Sequence, residues 1–178
     1  MSGKGCEISV VSYNTLIDGY CKDGRINEAL SLFQEMLCKG VLPNVVTYNS
    51  LIYGLCKVGR IQAARDLLHE MQSHGHHPDI QTYGILLNGL CKNRQLEVAM
   101  ELFQDLEEKK LPLDVVIYTT IIAGMCKAGN LAGAKELFSQ LSSKGMQPNV
   151  RTYNIMIDVL PGGGLVGEAV NLYGKMDA

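Results

Sequence analysis

The stretch Val45-Val46-Thr47-Tyr48-Asn49-Ser50-Leu51-Ile52-Tyr53-Gly54-Leu55-Cys56-Lys57 decides the fold, because its landmarks return at one fixed interval. Cys56 is matched by Cys21, Cys91 and Cys126, each 35 residues from the next. Tyr48 is matched at the same step by Tyr13, Tyr83, Tyr118 and Tyr153, and Ala29, Ala64, Ala99, Ala134 and Ala169 keep it too. Self-similarity at such a period is the mark of a stacked-repeat architecture. Counting from Val10, complete repeats cover 10–44, 45–79, 80–114 and 115–149, and an incomplete fifth covers 150–178. Residues 1–9 form a lead-in. Gly5 lies 35 residues before Gly40, so this lead-in reads as the tail of a preceding repeat and the chain as an excerpt of a longer array.

Each repeat predicts two helices. In the second, Thr47 can cap the first helix, and Tyr48, Leu51, Ile52 and Leu55 form an i, i+3, i+4, i+7 apolar face. Gly59 supplies the left-handed residue that ends this helix, after Lys57 in its last turn. A second helix follows, with Ile61, Ala64, Leu67, Leu68 and Met71 on one face, until Gly75 and Pro78 break it. The small residues at fixed places, Ala64 in the second helix and Gly54 in the first, imply close helix–helix contact. One such hairpin cannot bury its apolar face alone, so neighbours must stack into an all-α solenoid of about ten helices. Two irregularities stand out. Arg94 and Lys110 replace turn glycines in the third repeat, predicting strained or differently shaped turns, and Pro161-Gly162-Gly163-Gly164 in the fifth predicts an early stop to its first helix.

Composition sets the outer bounds. The 178 residues are 47% hydrophobic and 19% charged, with 19 Gly and no Trp, which excludes a disordered tail and collagen. No apolar run approaches the ~18 residues of a membrane span. A formal net charge of −2 argues, taken alone, against nucleic acid.

The repeat wording from Val45 to Lys57 resembles the opening helix of a pentatricopeptide repeat, and the resemblance covers residues 10–178. The uniform 35-residue period is similar to the pure class of that family, and the Cys-Lys-x-Gly-Arg wording to plant organellar members, including restorer-of-fertility-like proteins. The resemblance implies a right-handed superhelix that binds single-stranded RNA, one base per repeat. It places base read-out at the fifth residues, Asn14, Asn49, Gly84, Thr119 and Asn154, and at the closing residues, Asn44, Asp79, Asp114 and Asn149. The pair Asn49/Asp79 then favours U, Asn14/Asn44 C with U second, Thr119/Asn149 A, and Gly84/Asp114 leans to G. The implied core is 5′-C/U-U-(G)-A. The second residues, Val11, Val46, Gln81, Val116 and Arg151, resemble those that sandwich bases, with Gln81 and Arg151 departing from the usual aliphatic.

The net charge hides a segregation that suits this partner. Over places 2–13 of each repeat, five basic side chains face two acidic ones; over places 16–29, five basic face twelve acidic. Lys22, Lys57, Lys92 and Lys127 recur at 35-residue steps. Each can simply compensate a helix dipole, or together they can contact phosphates along one edge. The repeated cysteines are read as small packing residues, one repeat apart and so too far for a disulfide or shared zinc, which fits a reducing compartment. His69, His74, His76 and His77 read as a solvated turn, Met36, Met71 and Met176 as core, and the tyrosines as structural with one wet tip. No nucleophile–base pair, phosphate-cradling loop, metal motif or cofactor site is present in the sequence. The expectation is a non-enzymatic RNA-binding segment without cofactors or membrane association. The rival is a scaffold that holds an extended peptide in its groove. Uncapped terminal repeats could pair two copies of the chain. Residues 1–9 are too short for a targeting peptide and contain Glu7, so mitochondrial residence, with chloroplast as the alternative, is implied by the resemblance alone.

Overall fold

The computed structural model describes residues 9–159 and Gly174. Among the described residues the regular elements are nine helices: α1 (Val10–Lys22), α2 (Ile26–Cys38), α3 (Val45–Lys57), α4 (Ile61–Ser73), α5 (Ile80–Lys92), α6 (Leu96–Glu108), α7 (Val115–Lys127), α8 (Leu131–Ser143) and α9 (Val150–Val159). The expected tenth helix, with Ala169 and Met176, and the Pro161–Gly164 segment lie outside the described residues. The chain divides into two compact units, Met1–Gly89 and Leu90–Ala178, the division falling inside α5.

In the first unit α1 packs against its own partner α2 and against α3 of the next repeat, and α3 packs against α4. In the second, α7 packs likewise against α8 and α9. The buried residues are those the period selects. Tyr13, Ile17 and Cys21 form the buried stripe of α1, and Ile61, Ala64, Leu67, Leu68 and Met71 that of α4. Each fully buried Leu or Ile contributes about 1.5–3 kcal/mol, so stacking rather than intrinsic helix propensity holds these 13-residue helices.

The glycines of α3, α5 and α7 mark close approaches between repeats. A Cβ on Gly54 would lie 2.5 Å from Cys21 Sγ and 2.9 Å from Ile26 Cδ1, and one on Gly124 would lie 2.5 Å from Cys91 Sγ. Gly89 meets Cys56 in the same way. Cysteine and glycine are therefore one unit of packing, the thiol of one repeat filling the space left by the missing side chain of the next.

The turns of the third repeat keep the shape of the others. Gly59 and Gly75 sit at φ 78° and 77°, and Arg94 and Lys110 take the same left-handed region at 60° and 54°. Arg94 N–H bonds to the Cys91 carbonyl at 3.3 Å as Gly59 N–H does to Cys56 at 3.2 Å. The turn is strained, as expected, and its hydrogen bonds hold it in the common form. Such a conformation costs a side-chain-bearing residue about 1 kcal/mol.

Candidate nucleic-acid interface

The closing residue of each repeat caps the first helix of the next. Asn44 Oδ1 accepts from Thr47 N–H at 3.1 Å, Asp79 Oδ1 from Thr82 N–H at 2.8 Å, Asp114 Oδ1 from Ile117 N–H at 3.0 Å, and Asn149 Oδ1 from Thr152 N–H at 3.0 Å. This corrects the sequence reading: Asn44, not Thr47, is the cap, and Thr47 is the third residue of a capping box in which its hydroxyl accepts from Asn44 N–H at 3.0 Å. A side chain fixed by its own helix start is presented at a defined point.

The fifth-place side chains meet these caps. Asn14 Nδ2 donates to Asn44 Oδ1 at 3.1 Å, so the first expected pair is in direct contact. Asn49 and Asp79 are joined through Thr82, whose hydroxyl lies 2.7 Å from Asn49 Oδ1 and 2.8 Å from Asp79 Oδ1. Thr119 and Asn149 are joined through Thr152, at 2.7 and 3.0 Å. Partial burial raises the Asp79 carboxyl, but hydrogen bonds from Thr82 N–H, the Thr82 hydroxyl, the Asn49 amide and Gln81 N–H outweigh it and hold the group below the ordinary carboxylate value. Gly84 lies half-buried in the second turn of α5 with no side chain to offer, and Asn154 is exposed on α9. Asn49 is only 7% exposed and Thr119 3%, so a ligand would meet the tip of each side chain and nothing more of it.

Around these polar tips stand apolar ones. Val11, Val46 and Val116 are 68%, 57% and 54% exposed at the same place in three repeats, and Gln81 and Arg151 are exposed at that place in the others. Exposed valine at one recurring register has no packing role in these units. In the first unit, Val11, Asn14, Lys22, Asn44, Val46 and Asn49 line a groove of about 790 Å³. Its walls also carry Asp18, Tyr53 and Gln81.

The lysines divide in their partners. Lys22 is ion-paired with Asp18 at 2.6 Å, a hydrogen bond that raises the ammonium pKa. Lys57 donates to the Lys22 main-chain carbonyl at the end of α1. That contact is the helix-dipole role given concrete form, with one repeat capping its neighbour. Lys92 and Lys127 are exposed at the ends of α5 and α7.

The remaining recurrent residues are structural. Tyr13, Tyr48 and Tyr118 are buried, with hydroxyls bonded to Glu35 at 3.1 Å, His74 at 2.9 Å and Glu107 at 2.5 Å. Tyr48 and Tyr118 pack edge-on against Phe33 and Phe103. The histidine turn is more engaged than a solvated loop: His74 bonds Tyr48 and His76 lies half-buried 5.6 Å from its ring. Burial, helped by the Asp18 charge, pushes the Cys21 thiol up to about 11, and burial alone does the same for Cys56. These thiols stay protonated and unreactive. Among the described residues no group of three or more His, Cys, Asp or Glu side chains could hold a metal ion, and no helix is long and apolar enough to cross a membrane.

The paired places were expected at the sequence level; the threonines that join them were not. Thr47, Thr82 and Thr152 recur at 35-residue multiples, but their partners lie 33 residues back, in another repeat.

A profile of the PPR repeat family matches residues 8–57, 43–92 and 113–161, and one of the PPR repeat matches 81–111 and 151–178. No curated protein sequence matches significantly. Among solved structures, the pentatricopeptide repeat protein PPR10 in complex with an 18-nt psaJ RNA element superimposes with a TM-score of 0.86 at 22% identity, over 98% of this chain and 26% of that one. PPR10 from maize in a second structure gives 0.78, also at 22% identity, over 98% of this chain and 25% of that one. The PPR domain of Arabidopsis thaliana protein-only RNase P 1 in complex with tRNA gives 0.69 at 17% identity, over 91% of this chain and 86% of that domain. These likenesses show the fold, an all-α helical-repeat solenoid. The chain spans about a quarter of the length of PPR10.

Proposed function

The chain belongs to the pentatricopeptide repeat family, and from that premise we propose that it binds single-stranded RNA by sequence, one base per repeat, without catalysing a reaction. The observation that carries this reading is the recurring junction. At Asn14/Asn44, Asn49/Asp79 and Thr119/Asn149, the fifth and closing side chains of one repeat are held together at the start of the next repeat's first helix, directly or through one threonine hydroxyl of that helix. An amide can donate and accept at a base edge, a hydroxyl can do either, and a carboxylate only accepts, so the pairs differ in what they can read. Exposed valines one turn away provide faces between which bases can lie. PPR10, the structural relative with the higher TM-score, was solved with an RNA element, which supports the same partner.

On this reading the core target is 5′-C/U-U-(G)-A, with a further pyrimidine facing Asn154. Lys22, Lys57, Lys92 and Lys127 contact phosphates, and Val11, Val46, Gln81, Val116 and Arg151 flank the bases. Occupation of a transcript in the mitochondrion, or alternatively the chloroplast, would protect, expose or mark it for processing. Filter-binding titration tests the reading: 5′-CUGA should bind more tightly than a scrambled A-rich strand. Four phosphate contacts should give a slope of log K against log salt of about −3. Equal affinity for both strands would remove the read-out, and binding of an extended peptide with no salt dependence would favour the scaffold instead.

A further inference from the structure

Thr47, Thr82 and Thr152 stand at the third place of their repeats, and each is fully buried. A cap needs only local bonds, and these are present. Thr47 and Thr82 accept from the preceding N-cap N–H at 3.0 and 3.2 Å, and all three donate their own N–H to the N-cap side chain. Each hydroxyl then makes a longer reach. It lies 2.6 Å from Asn14 Oδ1, 2.7 Å from Asn49 Oδ1 and 2.7 Å from Thr119 Oγ1, in each case the fifth residue of the preceding repeat. Capping gives no reason for that contact.

Its chemistry is directional. A carboxamide has nearly the same shape on its oxygen and nitrogen sides, so packing alone chooses poorly between them. The Thr47 hydroxyl accepts from the N-cap N–H and has one hydrogen to give; its oxygen lies nearer Asn14 Oδ1, at 2.6 Å, than Asn44 Oδ1, at 3.2 Å, so it serves Asn14 as the donor. It therefore selects the oxygen, and Nδ2 turns to Asn44. Each asparagine keeps one further amide hydrogen and one further lone pair for a ligand, in a set orientation. In the second unit, Thr119 gives its hydrogen to the Val115 carbonyl at 2.7 Å, so toward Thr152 it accepts, and the one Thr152 hydrogen lies between Thr119 Oγ1 at 2.7 Å and Asn149 Oδ1 at 3.0 Å.

We propose that Thr47, Thr82 and Thr152 are positioning residues for base read-out. Each hydroxyl holds the fifth-place side chain of the preceding repeat in one orientation, and so decides which hydrogen-bonding group that side chain turns toward the base. The inference rests on the RNA-binding reading above. Helix α7 supplies the internal control. It carries Ile117 at the third place, buried, and keeps its cap from Asp114 at 3.0 Å, so a β-branched apolar residue is accepted there without loss of the helix.

The test uses the whole chain and four RNA strands that differ only at the base facing the second repeat. Wild type should prefer U at that base. Thr82→Val should lower this preference about tenfold, the scale of one well-made base contact. Preferences at the first and fourth bases should hold, while the unfolding midpoint falls with the loss of the buried hydroxyl's bonds. Thr82→Ser, which restores the hydroxyl, should restore U. In NMR spectra of the free protein, the two Asn49 side-chain amide protons should draw together in the Val variant and separate again in the Ser variant. Full retention of the U preference in Thr82→Val, or an equal loss at every base, overturns the positioning role. A wild type that discriminates nowhere overturns the RNA reading itself. Thr152→Val, read at the fourth base, repeats the experiment in the second unit should Thr82→Val fold poorly.

Discussion

The second and third repeats share a backbone and differ in the side chains that decorate it. Where the second ends its helices with Gly59 and Gly75, the third uses Arg94 and Lys110 in the same left-handed conformation. Where the second has Asn49 at its fifth place, the third has Gly84. Asp79, closing the second, receives the N–H of Thr82, whose hydroxyl lies between it and Asn49; Asp114, closing the third, receives the N–H of Ile117, which has no hydroxyl to add. Yet α3 to α6 are all 13-residue helices, and Leu51 and Leu86, Ile52 and Leu87, Ala64 and Ala99, and Met71 and Leu106 are buried at matching places. The fold draws on backbone bonds and the apolar seam. The groove draws on polar side chains that one repeat can lose without disturbing its helices.

That division is most sharply tested where the repeats agree. Gly54→Ala pushes a methyl group into Cys21 Sγ and Ile26 Cδ1 and should destabilise the protein by about 2 kcal/mol. Gly19→Ala, with no atom within 4 Å, should instead stabilise it by about 0.5–1 kcal/mol. Urea unfolding reads both, and a common sign would break the account of the seam. Next in size is the groove: Asn49→Thr with Asp79→Asn should move the base preference of the second repeat from U toward A by about tenfold, or 1.4 kcal/mol, with the far-UV spectrum unchanged. Binding to strands varied at that one base measures it.

The turns come third. Arg94→Gly and Lys110→Gly should each stabilise by about 1 kcal/mol, and Gly59→Arg should lose a similar amount, as seen in the shift of the unfolding midpoint. Smallest is a pH effect confined to the second junction. Because the folded state lowers the Asp79 pKa, the carboxylate stabilises the fold above its unfolded value, near 4, and that contribution fades as pH falls through the lower folded value. The thermal midpoint of Asp79→Asn should therefore change less than wild type on acidification through this window.

The helices and the small packing residues at the cysteine and glycine places were readable from the chain because a residue repeated every 35 positions meets similar neighbours each time, although the first-helix start was read three residues late. Arg94 and Lys110 were readable as exceptions for the same reason. What escaped was double duty. Asn44, Asp79, Asp114 and Asn149 were expected, by resemblance, as recognition residues, and that expectation hid their work as helix caps. Thr47 was legible as a cap, which hid its reach to Asn14. A periodic pattern reports that a place matters; it does not report how many partners share it. His74 escaped because it occurs once and bonds Tyr48 at a turn that looks wholly polar.

The seam has one more property, and it concerns time. Cys21 and Cys56 are sealed against the glycine of the following repeat, whereas Cys38 stands in the open. An alkylating reagent should mark Cys38 at once and reach Cys21 only when α1 and α3 part. Each sealed thiol is thus a clock for one interface, and comparing their rates would show whether the stack opens from an end, like a zipper, or all together.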